Sequence, residues 1–132
     1  MVARRTISSG SPYERIVGFS RAVRIDPPVG AMVHVAGTAP VWADGTVDPD
    51  PLVQARRCWE IALGALVEAG GDPSCVVRTR TFLVDRSYEA AASKVHGELF
   101  ADVRPASTML VVAGLLDPRW LLEVELDACL DA

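Results

Sequence analysis

The amino-acid sequence predicts an α+β domain in which a mixed β-sheet carries two helices on one of its faces. Three observations point there: an apolar helical stripe over Pro51–Ala69, strict alternation over Leu121–Leu130, and an element order of three strands, helix, strand, helix, two strands. That order of strands and single helices suggests an α+β layer. With 132 residues, the whole of 1–132 is expected to form one domain, because domains run to roughly 100–200 residues.

Val2–Ser8 reads as a short edge strand followed by a polar, turn-rich stretch, SSGSPYE. Ser20–Ile25 reads as a second strand, closed by the run DPPVG at Asp26–Gly30, since proline gives no donor to a ladder. Met32–Gly37, rich in valine, is a third, and the loop Pro40–Asp50 carries the turn pair Asp44-Gly45. In Pro51–Ala69 the residues Leu52, Ala55, Trp59, Ala62, Leu66 and Ala69 recur at steps of three and four and make one apolar stripe. Asp50 can cap its free amides, Pro51 suits the first turn, and Gly70-Gly71 can end it.

Val76–Val84 reads as a strand, with Val77, Thr79, Thr81 and Leu83 on one face and Val76, Arg78, Arg80, Phe82 and Val84 on the other. A second helix runs from Ser87 or Tyr88 to about Phe100 with the stripe Tyr88, Ala92, Val95, Leu99, and Pro105 forbids its continuation. Ser107–Ala113 is an almost wholly apolar strand. In Leu121–Leu130 the side chains Leu122, Val124, Leu126, Ala128 and Leu130 face one way and Leu121, Glu123, Glu125, Asp127 and Cys129 the other. Two helices on one side leave the opposite sheet face uncovered, and a symmetric homo-oligomer is the natural cover.

Composition narrows the function. Half of the residues are hydrophobic and 23% charged, as in globular chains. The formal net charge of -4 argues against sequence-independent nucleic-acid binding, which is driven by basic groups on phosphates. The longest apolar run, around Met109–Leu116, falls well short of the ~20 residues that span a bilayer. The start, MVARRTISSG, lacks an apolar core of the signal-peptide kind, and Cys58, Cys75 and Cys129 fit no disulfide or zinc spacing; a cytoplasmic location is expected. His34 and His96 lie far apart and no glycine-rich phosphate loop is present, so neither a metal nor a cofactor is expected.

Two groups of residues can carry chemistry. Ser107 and Thr108 open a strand and are potential nucleophiles, but no histidine can be placed beside them from sequence. Glu123, Glu125 and Asp127 put like charges on one strand face, where they repel unless answered. Such rows are usually solvated faces, with Arg78 and Arg80 as structural counter-charges; the functional alternative is a carboxylate that holds a water against a substrate.

Taken together, GFSRAVRI (Gly18–Ile25), GAMVHVAGTAPV (Gly30–Val41), QARRCWEIALGALVEAGG (Gln54–Gly71), VVRTRTFLVD (Val76–Asp85), HGELF (His96–Phe100), RPAST (Arg104–Thr108) and LLEVELDA (Leu121–Ala128) resemble the Rid (YjgF) family, the reactive intermediate deaminases, over nearly the whole chain. The resemblance implies a chorismate-mutase-like α+β fold in a homotrimer, with a central barrel and small-molecule clefts between subunits. Deaminating members hydrolyse enamines and imines such as 2-aminoacrylate to a 2-oxo acid and ammonia without a cofactor. In them an arginine after ProAla grips the substrate carboxylate, a glycine amide and an aromatic hydroxyl assist, and a glutamate positions the attacking water; guanidinium matches carboxylate geometry, and a placed water replaces a bimolecular encounter.

Carried onto this chain, the glycine is Gly37 and the water-positioning glutamate is Glu123. The arginine falls on Ser107, the tyrosine on Phe19, and a pocket-lining cysteine on Met109. Arg104 and Arg21 are the available substitutes for the lost guanidinium. The expectation is therefore catalysis by Glu123 and ligand binding by Phe19, Gly37, Ser107, Met109 and Arg104, on imines or enamines other than simple amino-acid-derived ones. A non-catalytic metabolite-binding or regulatory trimer is the alternative.

Overall fold

A computed structural model describes residues 3–132. Strands β1 (Arg4–Ile7), β2 (Ala22–Ile25), β3 (Val29–Thr38), β4 (Val76–Leu83), β5 (Ala106–Val111) and β6 (Leu122–Asp131) alternate with helices α1 (Pro51–Glu68) and α2 (Glu89–Phe100) in the expected order. Val2, proposed as the start of the first strand, lies outside the described residues. The strands do not form one sheet. β1 and β2 pair as a separate antiparallel ribbon, and the main sheet has the order β3-β6-β4-β5, antiparallel except for β4 beside β5. Ser20, assigned from sequence to the second strand, instead makes a lone parallel bridge to Ala106, tying the ribbon's approach to the edge of the main sheet.

Both helices lie on the sheet face bearing Leu122, Val124, Leu126, Thr79, Thr81 and Leu83, all buried. Trp59 of α1 packs edge-on against Phe100 of α2 with ring centroids 5.1 Å apart. Burying each of Leu122, Val124 and Leu126 contributes about 1.5–3 kcal/mol. A register shift between Val76 and Arg78 corrects the alternation read from sequence: it turns Val76 inward to join Thr79 in the core. The punctuation of α1 is as read, with Asp50 Oδ1 accepting from the Leu52 amide at 2.7 Å.

Between β1 and β2 the chain makes a single π-helical turn, Glu14–Gly18. Glu14 Oε2 there gathers Ser8 Oγ (3.1 Å), the Ser9 amide (3.0 Å), Ser9 Oγ (2.9 Å) and the Ser11 amide (3.1 Å). The turn presses against α2 so closely that a Cβ on Gly97 would stand 2.6 Å from the Ile16 carbonyl oxygen, which only glycine permits. No helix among the described residues is long and apolar enough to cross a membrane.

Candidate functional site

A cleft of about 590 Å³ opens at the β5 edge of the main sheet. One wall is β5, through Ser107, Met109 and Val111; the opposite wall is the segment Tyr13–Arg21, through Tyr13, Val17, Phe19 and Arg21; α2 and its approach add Arg86, Glu89 and Ser93. Ser107 and Met109 point to the helix side because they pair in register with the buried Thr79 and Thr81. Three of the residues expected to bind ligand, Phe19, Ser107 and Met109, thus meet in one cleft.

Gly37 and Glu123 do meet, but elsewhere. Glu123 lies on the open face of β6, and a Cβ on Gly37 would stand 2.7 Å from its Oε2. Of the acidic row, Glu125 and Asp127 are held by Arg80 Nη1 at 3.1 and 3.4 Å, and Asp127 also meets His34 Nδ1 at 2.7 Å. Arg78, expected to answer the row, instead approaches Thr108 Oγ1 at 3.5 Å. Glu123 has no basic partner among the described residues. In Gly37→Ala the new methyl displaces a flexible carboxylate and not backbone, so the expected result is a loss of turnover comparable to that of a Glu123 variant with less than about 1 kcal/mol change in stability, read by steady-state rates beside thermal unfolding.

Arg104 does not line the cleft. It adopts a left-handed conformation (φ 53°) just after α2, its amide donating to the Phe100 carbonyl at 2.8 Å and its carbonyl accepting from Ser20 Oγ. Its role is to turn the chain from α2 into Pro105. Arg21 is the arginine that reaches the cleft, its guanidinium 5.9 Å from the Phe19 ring centroid, and Arg86 joins it.

Sequence reading passed over Tyr13, Arg86 and Ser93, which come from segments without a motif, and it found no histidine for Ser107. Thr79 Oγ1 in fact lies 2.9 Å from Ser107 Oγ and 2.8 Å from His96 Nε2. The signal was present: His96 follows Ala92 by four residues on the apolar stripe, and Thr79 is on the inward alternation of β4. Burial pushes the His96 pKa down and keeps the imidazole neutral. Cys58, buried beneath α1, has its thiol pushed up to about 12, chiefly by burial, and stays protonated. Among the described residues no three His, Cys, Asp or Glu side chains gather as a cation site.

The profile of the family described as endoribonuclease L-PSP matches residues 11–130. The chain belongs to the YjgF/Rid family. A Rid protein of unknown function, YyfB from Yersinia pestis, superposes with a TM-score of 0.84 at 32% identity, covering 96% of this chain and 98% of that one. Rv2704 from Mycobacterium tuberculosis, another family member, is 37% identical over 96% of this chain and 98% of that chain, with a TM-score of 0.68. The Streptomyces coelicolor protein SCO2049, itself uncharacterized, is 39% identical over 96% of this chain and 92% of its own length. The mixed α+β architecture is thus that of the Rid family.

Proposed function

We propose that this Rid-family chain is an enamine or imine hydrolase acting on compounds other than simple amino-acid imines, working as a homotrimer whose small-molecule clefts lie between subunits. The observation that carries the reading is Glu123: alone in its row it has no basic partner among the described residues, and it rests on the bare backbone of Gly37, so its carboxylate is available to orient a water. The cleft residues support a separate binding half, in which Phe19 and Met109 supply apolar surface, Ser107 a hydroxyl and Arg21 a rim charge. Tyr13, in the same cleft, offers the phenolic hydroxyl that Phe19 lacks.

The two halves occupy opposite faces of one sheet, so a single chain cannot close them around a substrate. A neighbouring subunit covering the open face of β3 and β6 supplies the missing half. RNA is a poorer occupant, because a net charge of -4 opposes a polyanion. Arg104 takes no part in this reading.

The test is release of 2-oxo acid from imines generated in situ by an amino-acid oxidase, with the wild type beside Ser107→Arg. Low turnover in the wild type and a gain of about tenfold or more in Ser107→Arg are expected, since a bidentate guanidinium restores carboxylate binding. Absence of turnover in both, with binding retained, would leave the metabolite-binding trimer as the answer.

A further inference from the structure

Behind the cleft a line of side chains fixes where the Ser107 proton goes. His96 Nδ1 lies 2.9 Å from the Val17 carbonyl oxygen, its Nε2 2.8 Å from Thr79 Oγ1, and that oxygen 2.9 Å from Ser107 Oγ. A carbonyl only accepts, so Nδ1 carries the proton. The imidazole is fully buried, with the Trp59 and Phe100 ring centroids 5.7 and 4.7 Å away and no carboxylate bonded to it. A second proton would place a cation among aromatic rings, so Nε2 is bare.

Nε2 therefore accepts from Thr79, whose hydroxyl has one proton and gives it there. The contact between Thr79 and Ser107 is then a hydrogen bond only if Ser107 donates. With its proton committed to Thr79, Ser107 turns lone pairs toward the cleft. The opposite direction needs the other tautomer, which would set the Nδ1 lone pair against the Val17 carbonyl.

We propose that Thr79 and His96 hold Ser107 as a hydrogen-bond acceptor, so that the cleft selects ligands presenting an N–H or O–H donor, a carboxamide above all, where a guanidinium would select a carboxylate. This rests on the cleft being the substrate site, as proposed above. A carboxylate is acceptor-only at neutral pH and meets Ser107 lone pair to lone pair. A carboxamide gives its N–H to Ser107 and leaves its C=O for Arg21 or Arg86. Both guanidiniums are solvent-exposed, so their pull on an anion is screened and does not reverse the choice. Thr79 and His96 are positioning residues: they act on the ligand through Ser107.

Two measurements test the proposal. The first is the 15N spectrum of the His96 ring, taken in His34→Gln so that one imidazole remains; protonated Nδ1 with bare Nε2 is expected, and the reverse tautomer overturns the proposal. The second is calorimetric binding of 2-oxobutyrate and 2-oxobutanamide, which differ in the carboxylate or carboxamide alone. The wild type should favour the amide on the order of tenfold. Ser107→Ala and Thr79→Val should each bring the ratio near one, and Thr79→Ser should restore it, which a merely structural role for Thr79 would not do. Preference for the acid in the wild type, or a ratio unchanged in Ser107→Ala, overturns this inference and leaves the proposed function standing. Binding of neither compound overturns this inference and leaves the proposed function to its own turnover test.

Discussion

Glu123→Ala should lower turnover of the best imine substrate by about a hundredfold or more while leaving ligand affinity nearly unchanged, the signature of a group that acts on the water and not on the ground state. The physical basis is the isolation of that carboxylate. Glu125 and Asp127 share one guanidinium, Arg80, and are spent on it, whereas Glu123 stands over Gly37 with no basic partner among the described residues. Ser107→Ala, which removes a contact but no reacting group, should cost clearly less. Equal and negligible effects in the two variants would remove both residues from the site. The check is kcat and KM for each variant with the same imine donor, beside a dissociation constant by calorimetry.

Mixing two inactive variants should restore activity. If each working site joins the cleft of one subunit to the Glu123 of its neighbour, Ser93→Trp blocks one half and Glu123→Ala disables the other. Random reassembly of equal amounts in a cyclic trimer then gives about a quarter of the sites two intact halves, each variant alone giving none. Rates measured after mild denaturation and joint refolding, against separately refolded controls, decide the matter. No recovery, with trimers present, would place the whole site within one chain and defeat the inter-subunit reading.

Much of the fold could be read from sequence because its signals are local. The Asp50 cap, the alternation of β6 and the stripe from Leu52 to Leu66 each need only neighbouring residues and stand in the structure, whereas Ala69, read as the stripe's last member, is exposed just beyond the helix end. What failed was long-range. Nothing local says that β1 and β2 pair with each other and stay out of the main sheet, or that the register slips at Val76.

The site divides the same way. Gly37 and Glu123 came from motif blocks and do touch; Phe19, Ser107 and Met109 do share a cleft. Arg104, close to Ser107 in sequence, has a left-handed backbone at the exit of α2 and is not among the residues that line the cleft. The His96–Thr79–Ser107 line joins a helix to two strands, so no single segment could announce it.

The tie made by Glu14 has a consequence in acid. Burial works to raise the pKa of its carboxyl, but hydrogen bonds from Ser9, Ser8 and Ser11 outweigh it and hold the value below the ordinary 4.5. Since the folded value is the lower one, the tie is at full strength above pH 4.5 and is lost as the pH falls through the folded value. The protection of the Ser9 and Ser11 amides against hydrogen exchange, taken relative to the intrinsic rate at each pH, should therefore fall in that window while the β6 amides stay protected, and Glu14→Gln should make those two amides labile at neutral pH as well. Tyr13 and Val17 hang from this knot, so acid unlatches the mouth of the cleft before it reaches the sheet, and the entrance rather than the core is where the molecule first gives way.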